Sequence, residues 1–384
     1  MKVLFLGEYS GVFTELRKSL ESKGVTCVSI NDGDGWKNFP ADYRLKSAIA
    51  KNNSRASNIV RELSFRLGLK GFVDFIRHWG ELKKHIKGFD VVQIVNPIIY
   101  GEWGALAHIL LLNYLRKNNN AIFLSVLGDD YYTVKWIRKH NKKSKRLVPT
   151  KHDVFIHPSS TFMYELCVGY HLLNYFATKV SKSIIPGLLQ YKNSYLWTGK
   201  TNEICPFPIN EKLITDKPLK ISDGEKIVIF HGWQKARGKF KGNDVYDRVI
   251  CRLKNNYPDL IEYVVVQNVP YSEYIKLYNS CHIYIDQLYG NDKGVNATLG
   301  MAAGKVVFTG AEDESLRAYP FYDGNIPCIN ASCNEEKLYK QLESLIKNPS
   351  QMEMISKNAI EFVKRNHSAD FVADLYMKCW KKFC

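Results

Sequence analysis

The chain has 384 residues, a length that allows two domains with separate hydrophobic cores. Its composition is 45% hydrophobic and 13% aromatic, which is typical of a globular protein and excludes an intrinsically disordered one. The formal net charge of +16 predicts an anionic partner: a phosphorylated substrate, a membrane surface or a nucleic acid. A merely solvated basic surface is the alternative.

The nine cysteines include no C-x-x-C pair, which favours a reducing cytoplasm over a disulfide framework or a zinc site. No run reaches the roughly 18 apolar residues of a membrane-spanning helix. Residues 1–7 are mainly apolar, but Glu8 follows them without a small-residue cleavage site. We therefore expect a buried first strand there rather than a signal peptide.

The first half of the chain predicts alternating strands and helices with two basic regions. Residues 55–88 are helical, basic and aromatic, and they could lie on an anionic bilayer or bury their apolar stripe, which includes Leu63 and Leu67, in the core. The helix at 101–116 is nearly all apolar and should pack deeply. Residues 135–151 hold eight lysines and arginines and no acid, which predicts docking at a membrane, a grip on a lipid diphosphate or a solvated loop.

Pro206 and Pro208 favour an extended linker near 205–222. We therefore predict an N-terminal domain over 1–210 and a C-terminal domain over 211–350. The terminal helices within 351–384 could cross back to brace the N-terminal domain.

Three strand–loop–helix pieces follow one another between residues 227 and 304. The first loop is basic, the second contains Pro270 and Tyr271, and the third contains Gly294 before a helix of small residues. Loops at the carboxyl ends of parallel strands face one crevice. Cations and a helix N-terminus suit phosphates, and backbone beside a flat side chain suits a base, so this set predicts a nucleotide diphosphate site.

The order of these motifs resembles the C-terminal half of GT-B glycosyltransferases, above all the retaining, family-4-like group that builds bacterial polysaccharides. The likeness is strong over 225–320 and weaker over 1–210. It implies an α/β fold of two facing Rossmann-like domains with parallel sheets and a cleft between them. The motifs that carry it are His231-Gly232, Arg237, Lys241-Gly242, Pro270-Tyr271, Asp286, Gly294-Val295-Asn296-Ala297, Met301-Ala302-Ala303-Gly304 and Lys305-Val306-Val307.

The resemblance implies roles for individual residues. Arg237 and Lys241 would offset the charge of the departing diphosphate. Asp130 takes the Asp place of the family's His-Gly-x-Asp motif and is counted with them as catalytic. The turn of Glu8, Tyr9, Ser10 and Gly11 would touch the acceptor or the donor phosphates, although a plain turn is an equal alternative. The expected donor-binding residues are His231, Gly232, Val269, Pro270, Tyr271, Asn291, Asp292, Gly294, Val295 and Asn296.

The sequence also departs from the family. A pair of glutamates usually precedes the Met-Ala-x-Gly motif, and here Asn291 and Leu299 take their places. Asn291, Asp292 or Asn296 could replace the first glutamate, but Leu299 cannot hydrogen-bond a ribose. Leu127 stands where the family often has a histidine near the reacting sugar.

The expected function is a glycosyltransferase that uses a nucleotide diphosphate sugar, with UDP favoured over GDP, and a surface-polysaccharide or lipid-linked glycan acceptor. The resemblance implies retention of configuration and no metal, and we expect no cofactor. The expected location is the cytoplasmic face of the membrane, with an anionic lipid surface as a partner through the basic segments. A catalytically inactive GT-B binding module and a sugar-nucleotide epimerase are the alternatives; nucleic-acid binding lacks a recognition motif.

Overall fold

The computed structural model describes residues 1–46, 55–144, 162–233, 241–267 and 271–384. The chain divides into two compact units. The N-terminal unit comprises 1–138, 156–208 and 369–384, and the C-terminal unit comprises 139–155 and 209–368. Among the described helices, none combines the length and the apolar character that crossing a bilayer requires.

The N-terminal unit is built on six parallel strands in the order β3-β2-β1-β4-β5-β6. This is the order of a doubly wound dinucleotide-type sheet. All residues of β4 and β5 are buried, as expected for parallel strands that helices cover on both faces. The strands are β1 (Lys2–Leu6), β2 (Thr26–Asn31), β3 (Tyr43–Arg44), β4 (Val91–Ile94), β5 (Ala121–Val126) and β6 (Ser181–Pro186).

Eight helices described in the N-terminal unit connect or cover these strands. They are α1 (Val12–Ser22), α2 (Arg55–Arg66), α3 (Phe72–His85), α4 (Ala105–Asn118), α5 (Tyr131–Ser144, which runs past the unit boundary), α6 (Tyr170–Val180), α7 (Leu189–Tyr195) and α14 (Ala369–Trp380), with a π-helical turn at Phe162–Leu166. The last of them packs on α1, and Trp380 is fully buried with its indole N–H donating to Gln93 Oε1 at 2.9 Å.

The two apolar helical regions of this unit differ in how much of their apolar surface is buried. Leu63 and Leu67 of α2 are 54% and 56% exposed, so the stripe that they form does not lie in the core. α4 packs deeply, as expected, through Leu111, Leu112 and Leu115, and it leaves only Leu106 and Leu110 of its large apolar side chains exposed. Apolar composition predicted the helices correctly but did not predict which apolar faces find a partner.

The C-terminal unit has five parallel strands in the order β11-β10-β9-β7-β8. They are β7 (Ile227–Gly232), β8 (Ile261–Val266), β9 (Ile283–Ile285), β10 (Val306–Thr309) and β11 (Ile329–Asn330). The described helices are α8 (Asn243–Asn256), α9 (Tyr271–Ser280), α10 (Val295–Ala302), α11 (Asp313–Arg317), α12 (Glu335–Ile346) and α13 (Pro349–His367). Ile229, Ile283, Val306 and Phe308 are fully buried in its core. The α/β fold with two parallel, Rossmann-like sheets that the sequence predicted is thus confirmed.

The terminal helices separate between the two units. α13 stays with the C-terminal unit, where Ser356 donates to the carbonyl of Gly304 at 2.6 Å, whereas α14 joins the N-terminal unit. The chain therefore leaves the C-terminal unit after Ser368, later than the expected boundary at residue 350.

Candidate functional site

The sheet of the C-terminal unit reverses its winding direction between β7 and β9. β7 pairs with β8 on one side and with β9 on the other, so the crossovers from β7 and β9 lie on opposite sides of this point. In open parallel sheets, ligands bind at the carboxyl ends of the strands at such a switch point. Gly232 ends β7, and Asp286 directly follows β9.

Lys241 lies at this switch point, where its side chain contacts Asp286. Its Nζ lies 3.0 Å from Asp286 Oδ1, and Thr309 donates to Asp286 Oδ2 at 3.0 Å. Asp286 is 5% exposed, whereas a fifth of the Lys241 side chain remains accessible. An ammonium has three N–H donors, so an ion pair with one carboxylate oxygen leaves it able to bind a phosphate oxygen. The sequence singled out both Lys241 and Asp286 as motif residues but did not predict that they form an ion pair.

His231 is a buried, neutral histidine at the end of β7. Its Nδ1 lies 2.7 Å from the hydroxyl of Tyr263, which donates in turn to Asp247 at 3.0 Å. The tyrosine oxygen therefore accepts the Nδ1 proton, and Nε2 carries the lone pair. Burial lowers the pKa of this imidazole to about 4, outweighing the nearby Asp247 carboxylate.

Asn243, the first residue of α8, is a polar residue of this region that sequence reasoning missed. Asn243 and His231 are each 1% exposed. The imidazole Nε2 and both polar atoms of the Asn243 side chain make no hydrogen bond of standard geometry within the described ranges, although Asn243 is near enough to raise the pKa of His231. In a sequence, an Asn at the start of a helix looks like an ordinary helix cap, so Asn243 was not predicted as a site residue.

The third loop ends in an open helix tip. Gly294 is the N-cap of α10, and a Cβ at this position would meet no atom within 4 Å. Asn291, which takes the place of the first missing glutamate, has a buried Oδ1 without a hydrogen-bond partner in the described parts of the chain. Its carbonyl accepts from Glu312 N at 3.1 Å, so the loop is fixed while the side-chain oxygen stays unused. Val295 is half-buried and Asn296 exposed at the tip.

The two residues between Asn291 and Gly294 face inward. Asp292 is 4% exposed and accepts from the backbone N–H of Lys293 at 2.8 Å. Lys293 is fully buried, with Nζ 3.3 Å from Asp292 Oδ1 and 3.6 and 4.7 Å from the ring centroids of Tyr319 and Phe362. This cation in an aromatic cage anchors the loop to α13, and it uses the Asp292 carboxylate that was predicted to bind the donor.

Three comparisons bear on this arrangement. No protein-family model matches the sequence, and no curated protein sequence matches it significantly. Among solved structures, it is similar to sucrose-phosphate synthase of Thermosynechococcus elongatus, with a TM-score of 0.62, 13% identity and coverage of 99% of this chain and 98% of that one. It is also similar to HepE of Anabaena in complex with UDP and glucose, with a TM-score of 0.60, 10% identity and coverage of 100% of both chains. A third similar structure is UDP-GlcNAc 2-epimerase of Neisseria meningitidis bound to UDP-GlcNAc, with a TM-score of 0.53, 12% identity and coverage of 100% of both chains.

The chain has the GT-B fold. At 8 to 13% identity, this similarity extends to the architecture alone, and the individual site residues stay predictions.

The N-terminal unit of this GT-B chain has its own switch point, between β1 and β4, where the turn of residues 8–11 lies. Glu8 is 2% exposed and caps α1, accepting from Thr14 N and Thr14 Oγ1, both at 2.8 Å. Burial raises the pKa of Glu8 to about 7 in spite of these hydrogen bonds. Glu8 therefore acts as an internal cap in this structure.

The remaining turn residues are also satisfied within the unit. Tyr9 donates to the carbonyl of Ile98 at 3.3 Å, and Ser10 N donates to Asp34 at 2.7 Å. Gly11 has a φ of 82°, and a Cβ there would lie 2.8 Å from the ring of Phe39. The plain-turn alternative explains every hydrogen bond described here, and contact with an acceptor or a phosphate stays a prediction.

Asp130 holds a comparable position at the start of α5 in the GT-B N-terminal unit. It is fully buried, accepts from Thr133 N at 2.9 Å and from the Tyr195 hydroxyl at 2.8 Å, and burial raises its pKa to about 6. This geometry is that of a helix cap with both oxygens engaged, and a direct part in catalysis stays a prediction.

Four of the predicted site residues lie wholly or partly outside the described part of the chain. Arg237, Val269 and Pro270 lie outside the described residues, and of Tyr271 only the backbone, at the start of α9, is described. Among the described side chains, no group of three or more His, Cys, Asp and Glu could hold a metal ion.

Proposed function

We propose that this GT-B protein is a glycosyltransferase that moves a sugar from a nucleotide diphosphate, UDP in preference to GDP, to a surface-polysaccharide or lipid-linked glycan acceptor. The observation that carries the proposal is the switch point of the C-terminal unit. A cation, an open helix tip and buried polar atoms without hydrogen bonds of standard geometry lie at the end of β7 and in the loops after β7 and β9, at the edge where doubly wound sheets bind ligands.

The chemistry of sugar transfer suits these groups. The departing diphosphate gains negative charge, which Lys241, the N-terminus of α10 and the predicted cation Arg237 would offset. The lone pair of His231 Nε2 and Asn291 Oδ1 would accept hydrogen bonds from donor hydroxyls, and the Asn243 amide could donate or accept. We include in the proposal that the reaction needs no metal and retains the configuration at the sugar carbon.

The preference for UDP is supported by the ligands of two solved structures with the same fold, HepE with UDP and glucose and the Neisseria epimerase with UDP-GlcNAc. The test is a thermal-shift screen with UDP, GDP and CMP, because a ligand that binds only the folded state raises the melting temperature. We expect UDP to give the largest shift. An equal response to all three nucleotides, or none to any, contradicts the proposal.

An epimerase is the second candidate, since UDP-GlcNAc 2-epimerases share this fold. An epimerase changes the sugar of UDP-GlcNAc without an acceptor, so NMR of UDP-sugars incubated with the protein alone separates the two activities. Formation of an epimer without acceptor favours this candidate over transfer.

A catalytically inactive binding module is favoured by one observation, the apolar Leu299 in place of a glutamate that usually meets the ribose. The module would bind UDP but neither hydrolyse nor transfer the sugar. Turnover of any UDP-sugar above the level of a Lys241→Met variant excludes it.

We also propose that the enzyme acts at the cytoplasmic face of the membrane, in keeping with the basic segments at 55–88 and 135–151.

A further inference from the structure

Exposed apolar side chains are concentrated on one part of the N-terminal unit. More than half of the large hydrophobic residues exposed in the described chain fall in three stretches, 59–76, 106–110 and 166–175. Those of the C-terminal unit, such as Leu213, Leu260 and Met354, are scattered singly. Single exposed apolar residues are normal, whereas a contiguous group marks a binding surface.

The three stretches lie side by side. Val168 N donates to the carbonyl of Arg66 at 2.8 Å, and Leu106 N donates to that of Gly68 at 3.1 Å. A Cβ on Gly169 would lie 3.0 Å from that of Ala105, so the start of α6 touches the start of α4. We call the resulting surface the apolar face. Its members, all 37–71% exposed, are Leu63, Leu67, Leu106, Leu166, Val168 and Leu172.

The apolar face breaks the usual rule for amphipathic helices. Leu63 and Leu67 are four residues apart and form one stripe of α2, yet this stripe points to solvent. A soluble protein normally turns such a stripe to its core. The six side chains therefore need a partner that supplies an apolar environment.

Cations border the apolar face. Arg138 of α5 pairs with Glu165, the residue before Leu166, and this ion pair ties the basic helix to the edge of the face. Lys135 and Lys139 on the same helix are exposed, and the ring of Tyr131 beside them lies 4.7 Å from that of His171, next to Leu172. On α6, Lys179 is exposed as well.

We propose that the apolar face docks on a lipid bilayer that carries anionic headgroups, an inference that rests on the membrane location proposed above. Apolar side chains enter the headgroup and acyl boundary while the bordering lysines contact lipid phosphates, which is how amphipathic surfaces bind membranes without spanning them. The basic sequence alone suggests an anionic partner of any kind. The six apolar side chains inside this border select a bilayer, because a nucleic acid or a soluble anion offers them no apolar contact.

The experiment is flotation of the whole protein with vesicles of phosphatidylcholine containing about 30% phosphatidylglycerol, and with pure phosphatidylcholine as the reference. The test variant is Leu67→Gln/Leu106→Gln/Val168→Gln. The matched control is Leu213→Gln/Leu260→Gln/Met354→Gln, which changes similarly exposed residues on the C-terminal unit. We expect the test variant to lose about tenfold or more of its partitioning into anionic vesicles, and the control to keep it.

The charge contribution is tested separately by Lys135→Gln/Lys139→Gln, for which we expect about a fivefold loss for each lysine, diminishing at high salt. Both sets change exposed side chains, so their melting curves should match the wild type. The proposal is overturned if the wild-type protein does not float with anionic vesicles, or if the test variant floats as well as the wild type. It is also overturned if the wild-type protein binds pure phosphatidylcholine vesicles as well as anionic ones. A concentration-dependent dimer that the test variant loses, without vesicle binding, assigns the face to a second copy and also overturns it.

Discussion

The two units carry the same kind of switch point with different contents. At the carboxyl ends of β1 and β4, the side chains of Glu8, Tyr9 and the Ser10 backbone find partners inside their own unit. At the ends of β7 and β9, Asn291 keeps a buried Oδ1 without a partner in the described residues, and the neighbouring His231 and Asn243 keep buried polar atoms that make no hydrogen bond of standard geometry. Topology thus makes both edges available to a ligand, but only the C-terminal edge keeps unused hydrogen-bonding capacity. Unpaired buried polar atoms destabilise a fold, so their presence favours a ligand there.

The largest expected effect comes from the cage beneath the C-terminal edge. Lys293→Met leaves Asp292 buried without its cation, and we expect a loss of about 3–5 kcal/mol in the free energy of unfolding. Urea denaturation measures it. The double variant Asp292→Asn/Lys293→Met, which removes both charges, should recover much of the loss. If the single and double variants are equally stable, the pair does not hold the loop.

The pH dependence of stability should have opposite signs at the two edges. Burial lowers the pKa of His231 to about 4, so the unfolded state takes up a proton first as the pH falls. Stability from this group is therefore lost between about pH 6.5 and 4, by about 3 kcal/mol in total.

Glu8 works in the other direction, because burial raises its pKa to about 7 and the folded state keeps the proton longer. Its contribution therefore falls as the pH rises from about 4.5 through 7. Unfolding curves over this range for His231→Gln and Glu8→Gln, compared with the wild type, isolate the two groups. If the contributions of His231 and Glu8 to the free energy of unfolding change with pH in the same direction, the two edges do not differ in this way.

Nucleotide binding should depend on the C-terminal edge. Lys241→Met removes the cation expected to meet the diphosphate, and we expect UDP to bind about 10–100-fold more weakly by calorimetry. Lys217→Met, at an exposed position of the same unit, is the control and should bind normally. Asp286→Asn is informative as well, since it leaves Lys241 in place without its carboxylate partner. Unchanged affinity in Lys241→Met would contradict the site.

The smallest effect on stability is expected at the helix tip. Gly294 has extended backbone and open space around a Cβ, so Gly294→Ala should change the free energy of unfolding by less than about 0.5 kcal/mol. The methyl group would nevertheless stand where phosphate oxygens approach the amides of α10, so UDP affinity should fall severalfold. Gly310→Ala is the contrasting variant, because its Cβ would lie 2.1 Å from the carbonyl of Gly290 and should cost stability outright.

The sequence was sufficient for the α/β fold class and for strands such as β1, β7 and β9. Apolar runs such as residues 227–230 and 283–285 are local signals, and alternating them with helices leaves few arrangements other than parallel sheets. The order of the loops also predicted which edge of the C-terminal unit carries Lys241 and Gly294, because parallel strands end on the same side.

Only the tertiary structure decided which charges and polar atoms are already used. Lys241 and Asp286 are 45 residues apart in the chain, and Lys293 and Phe362 are 69 residues apart. No periodicity or motif in the sequence therefore reveals either contact. The same holds for Leu63 and Leu67, whose helical spacing predicts a stripe but not whether another element covers it. Local pattern determines the kind of element and the direction of its side chains, whereas partners depend on how distant segments pack, which the pattern does not encode.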